Sequence, residues 1–331
     1  MKQIVPDYYH RFSCIAAACE DSCCKEWEVD VDSASAEYYL KLTGALGDRL
    51  REVLVTVDGE TTMRIENRRC PMWRQDGLCR IQAELGHDAL CEVCQTFPRL
   101  RHDYGDFVEL GLELSCPEAA RLILNGDAEF LAEEIPGEAE PEYDEEAMAV
   151  LLKSRRTLLE FLRAPDCSVP EALAVMLLYG HAVQAELDGG EEAALLPEES
   201  LADAYRFARI GEWRPVFDFF LGLEILTPEW KARLEQGAGA PVWTAKALRL
   251  AKYYVNRYWL QAVSDYDLIC RVKFAIVACL MAAAMGGDIV ETAQQFSKEI
   301  ENDPDNVEAI LDGAYTSPAF TDVQLLSLLL K

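Results

Sequence analysis

The chain has 331 residues, long enough to bury one large core or two ordinary ones without covalent crosslinks. Its 31 Lys and Arg against 58 Asp and Glu leave a formal charge of -27, the wrong sign for a protein that grips nucleic acid or an anionic membrane. A composition of 50% hydrophobic and 27% charged residues excludes a disordered chain and describes a folded globular one.

The opening residues, MKQIVPDYYHRFSC, set Pro6, Asp7 and Arg11 where a signal peptide needs an unbroken apolar run, so a cytoplasmic location is expected. Trp27, Val29 and Val31 alternate with Glu28, Asp30 and Asp32, which predicts a short half-buried strand. The three acids are either its solvent face or a seat for a cation or a substrate lysine. Tyr39, Leu42, Leu46, Leu50 and Leu54 recur near helical spacing and predict helix over 33–55. FVELGLEL at 107–114 alternates again, a second strand. Ser115-Cys116-Pro117-Glu118 then has the form of a capping box with proline at the first helical position, opening the helix AARLIL.

Residues 127–148 hold ten acidic residues, no basic ones, and Pro136, Gly137 and Pro141, the composition of a solvated connector. Such a segment also attracts a lysine-bearing partner at low salt. Beyond it the segments 148–162, 169–187, 243–262 and 268–285 are long, rich in Leu and Ala, and separated by Pro, Gly and Asp, so helices and no strands are expected. The longest apolar run, Phe274 to Met285, reads as a buried core helix, short of the roughly 20 residues that span a bilayer. The aromatic run Tyr253, Tyr254, Tyr258 and Trp259 reads as helix core or groove wall. The expected fold is mainly α. A small cysteine-rich metal-binding domain with short strands occupies 1–126, the acidic connector 127–148, and an all-α helical bundle 149–331.

Nine of the twelve cysteines lie in the first 116 residues: Cys14, Cys19, Cys23, Cys24, Cys70, Cys79, Cys91, Cys94 and Cys116. In a reducing compartment these do not imply disulfides. Soft thiolates select zinc or an iron–sulfur cluster, a C-x2-C loop aims two sulfurs at one metal, and the prolines after Cys70 and Cys116 restrain the backbone beside the ligand. The chain has four histidines, of which only His10, His87 and His102 fall near these cysteines, which favours an all-thiolate site, a 4Fe-4S cluster ahead of zinc. Cys167, Cys270 and Cys279 read as small buried hydrophobes. Arg99, Arg101 and His102 form a basic group after the C-x2-C loop, suited to pairing with an acid.

In sequence, C-x4-C-x3-CC-x2-W, RCPMW, DGLCRIQ-x2-LG, LC-x2-C-x2-FPR and SCPEAARLIL resemble the flagellin lysine-N-methylase family, whose cysteine cluster is shared by a wider group of zinc- or iron-chelating proteins. The resemblance runs from Pro6 to Leu124 and continues more weakly through RFARIGEW (206–213), Tyr253–Trp259, Val272–Ala278 and FSKEIEND (296–303). It matches all nine clustered cysteines to the family's cysteine positions and Arg99 to the arginine of its PR pair, where it would meet a cofactor carboxylate. It implies transfer of methyl groups from S-adenosylmethionine to lysines of flagellin. The sequence contains no G-x-G-x-x-G loop for such a cofactor. Cys19-x3-Cys23 is followed directly by Cys24, not the C-x3-C-x2-C spacing of radical S-adenosylmethionine enzymes. The competing expectation is a non-catalytic iron- or zinc-chelating protein that docks a partner through its helical half.

Overall fold

The computed structural model describes residues 1–137 and 140–331; residues 138 and 139, inside the acidic connector, lie outside the described residues. The chain opens with β1 (Lys2–Pro6) and α1 (Asp7–Arg11) and leaves on a long excursion. That excursion contains β2 (Val29–Asp30), α2 (Ser33–Lys41), α3 (Gly44–Val53), β3 (Leu54–Val57), β4 (Glu60–Met63), α4 (Arg80–Leu85) and α5 (Glu92–Thr96). It returns as β5 (Arg99–Asp103), β6 (Phe107–Leu112), α6 (Pro117–Leu124) and β7 (Phe130–Glu134). Among the described residues ten α-helices follow: α7 (Glu145–Arg163), α8 (Val169–Leu187), α9 (Pro197–Phe207), α10 (Trp213–Leu221), α11 (Pro228–Gln236), α12 (Ala245–Tyr258), α13 (Ile269–Ala284), α14 (Ile289–Phe296), α15 (Pro304–Thr316) and α16 (Asp322–Leu330). The chain is mainly α-helical.

Two sheets carry the strands. The larger has the order β5-β6-β1-β7, with β1 parallel to β6 and antiparallel to β7; the smaller has the order β2-β4-β3. Composition divides the chain at 127–148, but packing divides it elsewhere. Tyr8, Phe12, Leu112, Leu114 and the buried face of α6 belong to one hydrophobic core with the helices that follow. A separate small core, including Val29, Tyr39, Leu50, Met63, Met72 and Ile81, lies wholly within the excursion between Phe12 and Pro98.

Several local expectations need correction. The helix expected over 33–55 is two, because Leu42 and Thr43 are extended and Gly44 sits at φ +81°, a left-handed conformation that glycine adopts without strain. Arg51 donates to the freed Leu40 and Leu42 carbonyls at 3.2 and 2.6 Å. The capping box fails: Cys116 is the N-cap of α6, with Pro117 at its first turn, and the Ser115 hydroxyl donates to Glu113 instead. The connector is not only a spacer, since Phe130–Glu134 pairs residue by residue with Lys2–Pro6. The strand at 27–32 shortens to Val29–Asp30.

The long helices follow the sequence closely. α8 spans Val169–Leu187, its first turn fixed by Pro170 and by the Ser168 N–H donating to Glu171 at 2.8 Å. α13 is central, with every residue except Arg271 buried. Its one buried lysine, Lys273, donates to the Ala314 carbonyl and pairs with Asp322, both at 2.9 Å; His181 meets the same carboxylate at 3.0 Å. Among the described residues no helix is long and apolar enough to cross a membrane.

Burial alone would raise the Asp322 carboxyl, but His181 and Lys273 hold it down at about 2, against an ordinary 3.8. A depressed carboxyl pKa stabilises the fold above the unfolded-state pKa and loses that contribution as pH falls through the folded value. Asp322 is partly exposed, so screening reduces the contribution to about 1 kcal/mol. Acid titration from pH 5 to 2 should therefore cost wild type about 1 kcal/mol more than Asp322→Asn. Equal losses in denaturant melts would remove Asp322 from the acid transition.

Candidate functional site

The nine clustered cysteines are brought together from five stretches of chain by local devices that can be named. Cys14 and Cys19 flank a single turn of 3-10 helix at Ala16–Ala18. The turn Asn67-Arg68 has both residues left-handed and folds Glu66 back on Arg69. Arg69 then forms an antiparallel bridge with Lys25, and the Cys70 N–H donates to the Cys24 carbonyl at 2.8 Å. That register sets Cys24 beside Cys70. A second bridge, Trp73 with Cys79, closes the hairpin around DGLC. Cys79, Cys91 and Cys116 are the N-cap residues of α4, α5 and α6, each at the end of a helix where backbone N–H groups favour a thiolate.

Gly77 in DGLC sits at φ +79°, and a Cβ there would lie 3.3 Å from the Cα of Ala17. Gly77→Ala should destabilise the small core by about 1 kcal/mol or more. A denaturant midpoint equal to wild type would show that the two loops do not depend on this approach.

The thiols fall into two groups joined at the Cys23-Cys24 pair. Cys14 and Cys116 lie close enough to Cys23 to act on it electrostatically, and Cys116 in turn feels Cys19 and Cys14. On the other side Cys24 meets Cys70, while Cys79 is near Cys24 and Cys91, and Cys94 near Cys91 and Cys24. The neighbouring Cys23 and Cys70 thiols hold the Cys24 thiol well below the usual thiol range, and the Cys94 thiol lowers that of Cys91. Cys23, Cys70 and Cys94 are pushed up, first by these same neighbours and then by burial. Burial raises Cys116 to about 11. Among the described residues no three Cys, His, Asp or Glu side chains are disposed to hold a metal ion as they stand. The thiols meet in pairs and strings.

Parallel pairing of β1 with β6 explains how Cys116 reaches Cys14. The two strands point the same way, so the segments that leave their C-terminal ends, one carrying Cys14 and the other Cys116, emerge at one edge of the sheet.

The helical half reaches into the thiol loop through an irregular turn. α14 runs directly into a π-helical segment, Ser297–Glu301, in which four successive residues are buried. Extra residues of this kind shift the phase of a helix and recur at functional sites. Here they aim two charged side chains in different directions. Lys298, 5% exposed, pairs with Asp21 at 2.7 and 2.9 Å and lies 5.2 Å from the Trp27 ring. Asp21 stands between Cys19 and Cys23 and also accepts from Gln294 at 2.9 Å; Gln294 donates in addition to the Ser115 carbonyl beside Cys116. Glu301, on the other side, pairs with Arg257 at 2.9 Å and accepts from Tyr258 and Tyr254 at 2.8 and 3.2 Å.

Sequence reasoning missed Asp21, Gln294, Lys298, Arg257 and Glu301 as site residues. The available signal was FSKEIEND, where a lysine and two glutamates stand among buried residues at the end of α14, and the aromatic run before Trp259. Those two segments meet at Glu301.

Other candidates fall elsewhere. Arg99 is exposed, its guanidinium 5.3 Å from the Phe12 ring and 5.8 Å from Tyr9, and among the described residues it makes no ion pair. Arg101 pairs with Asp103 at 2.5 Å. His102 lines a cavity beneath the larger sheet, and burial, then Arg257, holds it below the usual histidine pKa. Glu28 and Asp30 face solvent, as alternation requires. Asp32 caps α2 by accepting from Ser35 and ties in α5 by accepting from the Glu92 N–H, both at 2.9 Å. Cys279 is fully buried in α13 and Cys270 nearly so.

Over 144 residues, 40% of this chain, the sequence is 35% identical to a Lysine-N-methylase of Salmonella typhimurium. Over the same length and at the same identity it matches the flagellar biosynthetic protein FliU of Salmonella muenchen and a Lysine-N-methylase of Salmonella choleraesuis. The match covers 85% of FliU but 36% of each Lysine-N-methylase, so it spans about a third of those longer relatives. No family model matches the chain, and no solved structure matches it.

Proposed function

This chain belongs to the family that includes the flagellar biosynthetic protein FliU, and on that footing we propose that it is a protein-lysine N-methyltransferase that takes methyl groups from S-adenosylmethionine and acts on flagellin. The observation that carries the reading is the 35% identity shared with proteins named Lysine-N-methylase. The acceptor chemistry asks for a neutral amine held in line with the donor methyl, a matter of position and deprotonation. The chain's charge of -27 suits a lysine-bearing partner, drawing it in at a rate that falls with salt.

The nine thiols are proposed to supply the ligands of one or two four-thiolate iron–sulfur clusters, with zinc the other metal their chemistry admits. What supports this is the chemistry of the donor set: nine soft thiols from five stretches of chain, meeting in pairs and strings, with none among the described residues hydrogen-bonded to a histidine. Asp21, Gln294 and Lys298 would fix the loop between Cys19 and Cys23 as outer-sphere groups fix metal ligands.

The test is incubation of anaerobically reconstituted full-length protein with methyl-labelled S-adenosylmethionine and the flagellin of the same genome. Label recovered in methyl-lysine after hydrolysis of the flagellin is the expected result. Metal-loaded protein that transfers no label would instead be a chelating protein that docks a partner.

A further inference from the structure

Beneath the larger sheet two cavities share the walls Tyr8, Phe130, Tyr253 and Asn256. The inner one is small, with room of about 30 Å³, enough for a water or two. The outer one, about 290 Å³, opens at a rim carrying Asp127, Glu129, Arg163, Arg249 and Lys252. Together they reach the lower end of the roughly 300–1,000 Å³ occupied by small-molecule sites.

Buried polar atoms nearly always find partners, and those that do not mark places where something else supplies them. Three such atoms converge here. The Tyr253 hydroxyl, His102 Nε2 and Arg257 Nη1 are buried without hydrogen-bond partners, and all three residues line the inner cavity. Tyr253, which also lines the outer cavity, is only 6% exposed.

The rim has a different chemistry. Asp127 is paired with Lys252 and, at 3.5 Å, with the Nε of Arg249. With Arg163 this places three cations and two carboxylates at one opening of a chain that is strongly acidic elsewhere. Such a mixed rim suits a zwitterion, the cations taking a carboxylate and Asp127 or Glu129 taking an ammonium group. The walls inside are aromatic, as a flat heterocycle requires. Finally, the inner end is wired to the thiol loop: Arg257 pairs with Glu301, which shares its π-helical segment with Lys298, the partner of Asp21.

We propose that this two-chamber cleft is the S-adenosylmethionine site, the amino-acid head lying at the rim with Arg249 and Arg163 and the adenosyl end reaching between Tyr8, Phe130 and Tyr253. The inference rests on the methyltransferase reading and supplies the binding site that no glycine-rich loop provides.

Equilibrium dialysis of anaerobically purified full-length protein with S-adenosylmethionine, S-adenosylhomocysteine and methylthioadenosine, which lacks the amino-acid head, tests it. Arg249→Gln should weaken S-adenosylhomocysteine binding by about tenfold or more and leave methylthioadenosine binding unchanged. Tyr253→Phe should weaken both by about three- to tenfold, the loss of one hydrogen bond. Metal content and melting temperature should hold in both variants and in the control Lys231→Gln. Ligand should also slow hydrogen exchange at 126–130 and 253–257. If wild type binds these ligands and both variants bind them equally well, the cleft is not the site and the methyltransferase reading stands. If metal-loaded wild type binds neither S-adenosylmethionine nor S-adenosylhomocysteine, the reading and the cleft fall together.

Discussion

Cys24→Ala should strip the chain of its metal, while Cys279→Ala should leave the metal in full. Cys24 is the junction of the thiol network: it adjoins Cys23, its carbonyl accepts from the Cys70 N–H at 2.8 Å, and it lies near Cys79 and Cys94. Its loss removes a donor from the point where the two groups join, and because metal binding and folding of such a site are linked, the small core should lose stability along with the metal. Cys279 is also fully buried, but in the middle of α13, packed in the large core, where its thiol donates to the Ala247 carbonyl at 3.7 Å. Deleting that sulfur leaves a small cavity worth about 1–2 kcal/mol. Elemental analysis for iron and zinc, paired with thermal melts, separates the two outcomes and identifies the metal. Equal metal retention by both variants would undo the ligand assignment.

The second large effect concerns Asp21 and Lys298, and it is asymmetric. Removing one member of a buried ion pair costs about 3–5 kcal/mol when the charge left behind stays in the interior. Asp21→Asn leaves Lys298, 5% exposed, without its counter-charge, so a loss of about 3 kcal/mol is expected. Lys298→Met leaves Asp21, 28% exposed and reachable by water, so about 1–2 kcal/mol is expected. Both should lower metal affinity by about tenfold or more, since the loop between Cys19 and Cys23 loses its brace. Urea melts of the two variants give the order directly. Greater damage from Lys298→Met would mean that the lysine packs rather than neutralises.

Where the sequence was legible, the determinants were local. α8 could be read because Ser168, Pro170 and Glu171 fix its start and an unbroken Leu- and Ala-rich run carries it onward. The strand in FVELGLEL could be read from alternation alone, as Val108 and Leu112 face the core. The failures involve partners distant in the chain. Residues 130–134 carry three glutamates or alanines with two exposed apolar residues, and only the β1 edge makes them a strand. Asp21 and Lys298 are 277 positions apart, and nothing in either neighbourhood announces the other. The nine cysteines were legible as a set because thiol density is a compositional signal. Their division into two groups was not, because it depends on the Lys25–Arg69 register and on the parallel pairing of β1 with β6.

That parallel pair has a consequence for how the chain is made. β1 leaves the ribosome well before its partners β6 and β7, which begin only at Phe107 and Phe130. In the interval the whole excursion from Phe12 to Pro98 emerges, with its own small core and eight of the nine clustered thiols. Domains commonly fold as they are synthesised, so this lobe can be formed while β1 is still unpaired. Cys116, the ninth thiol, arrives only when β6 docks against β1, and the same movement that completes the sheet delivers it to Cys14 and Cys19. Assembly of the Cys24 group can thus precede translation of the helices, whereas the Cys14 group waits on closure of the sheet. A nascent chain stalled before residue 107 would carry one finished half of the thiol network and one that lacks its last member.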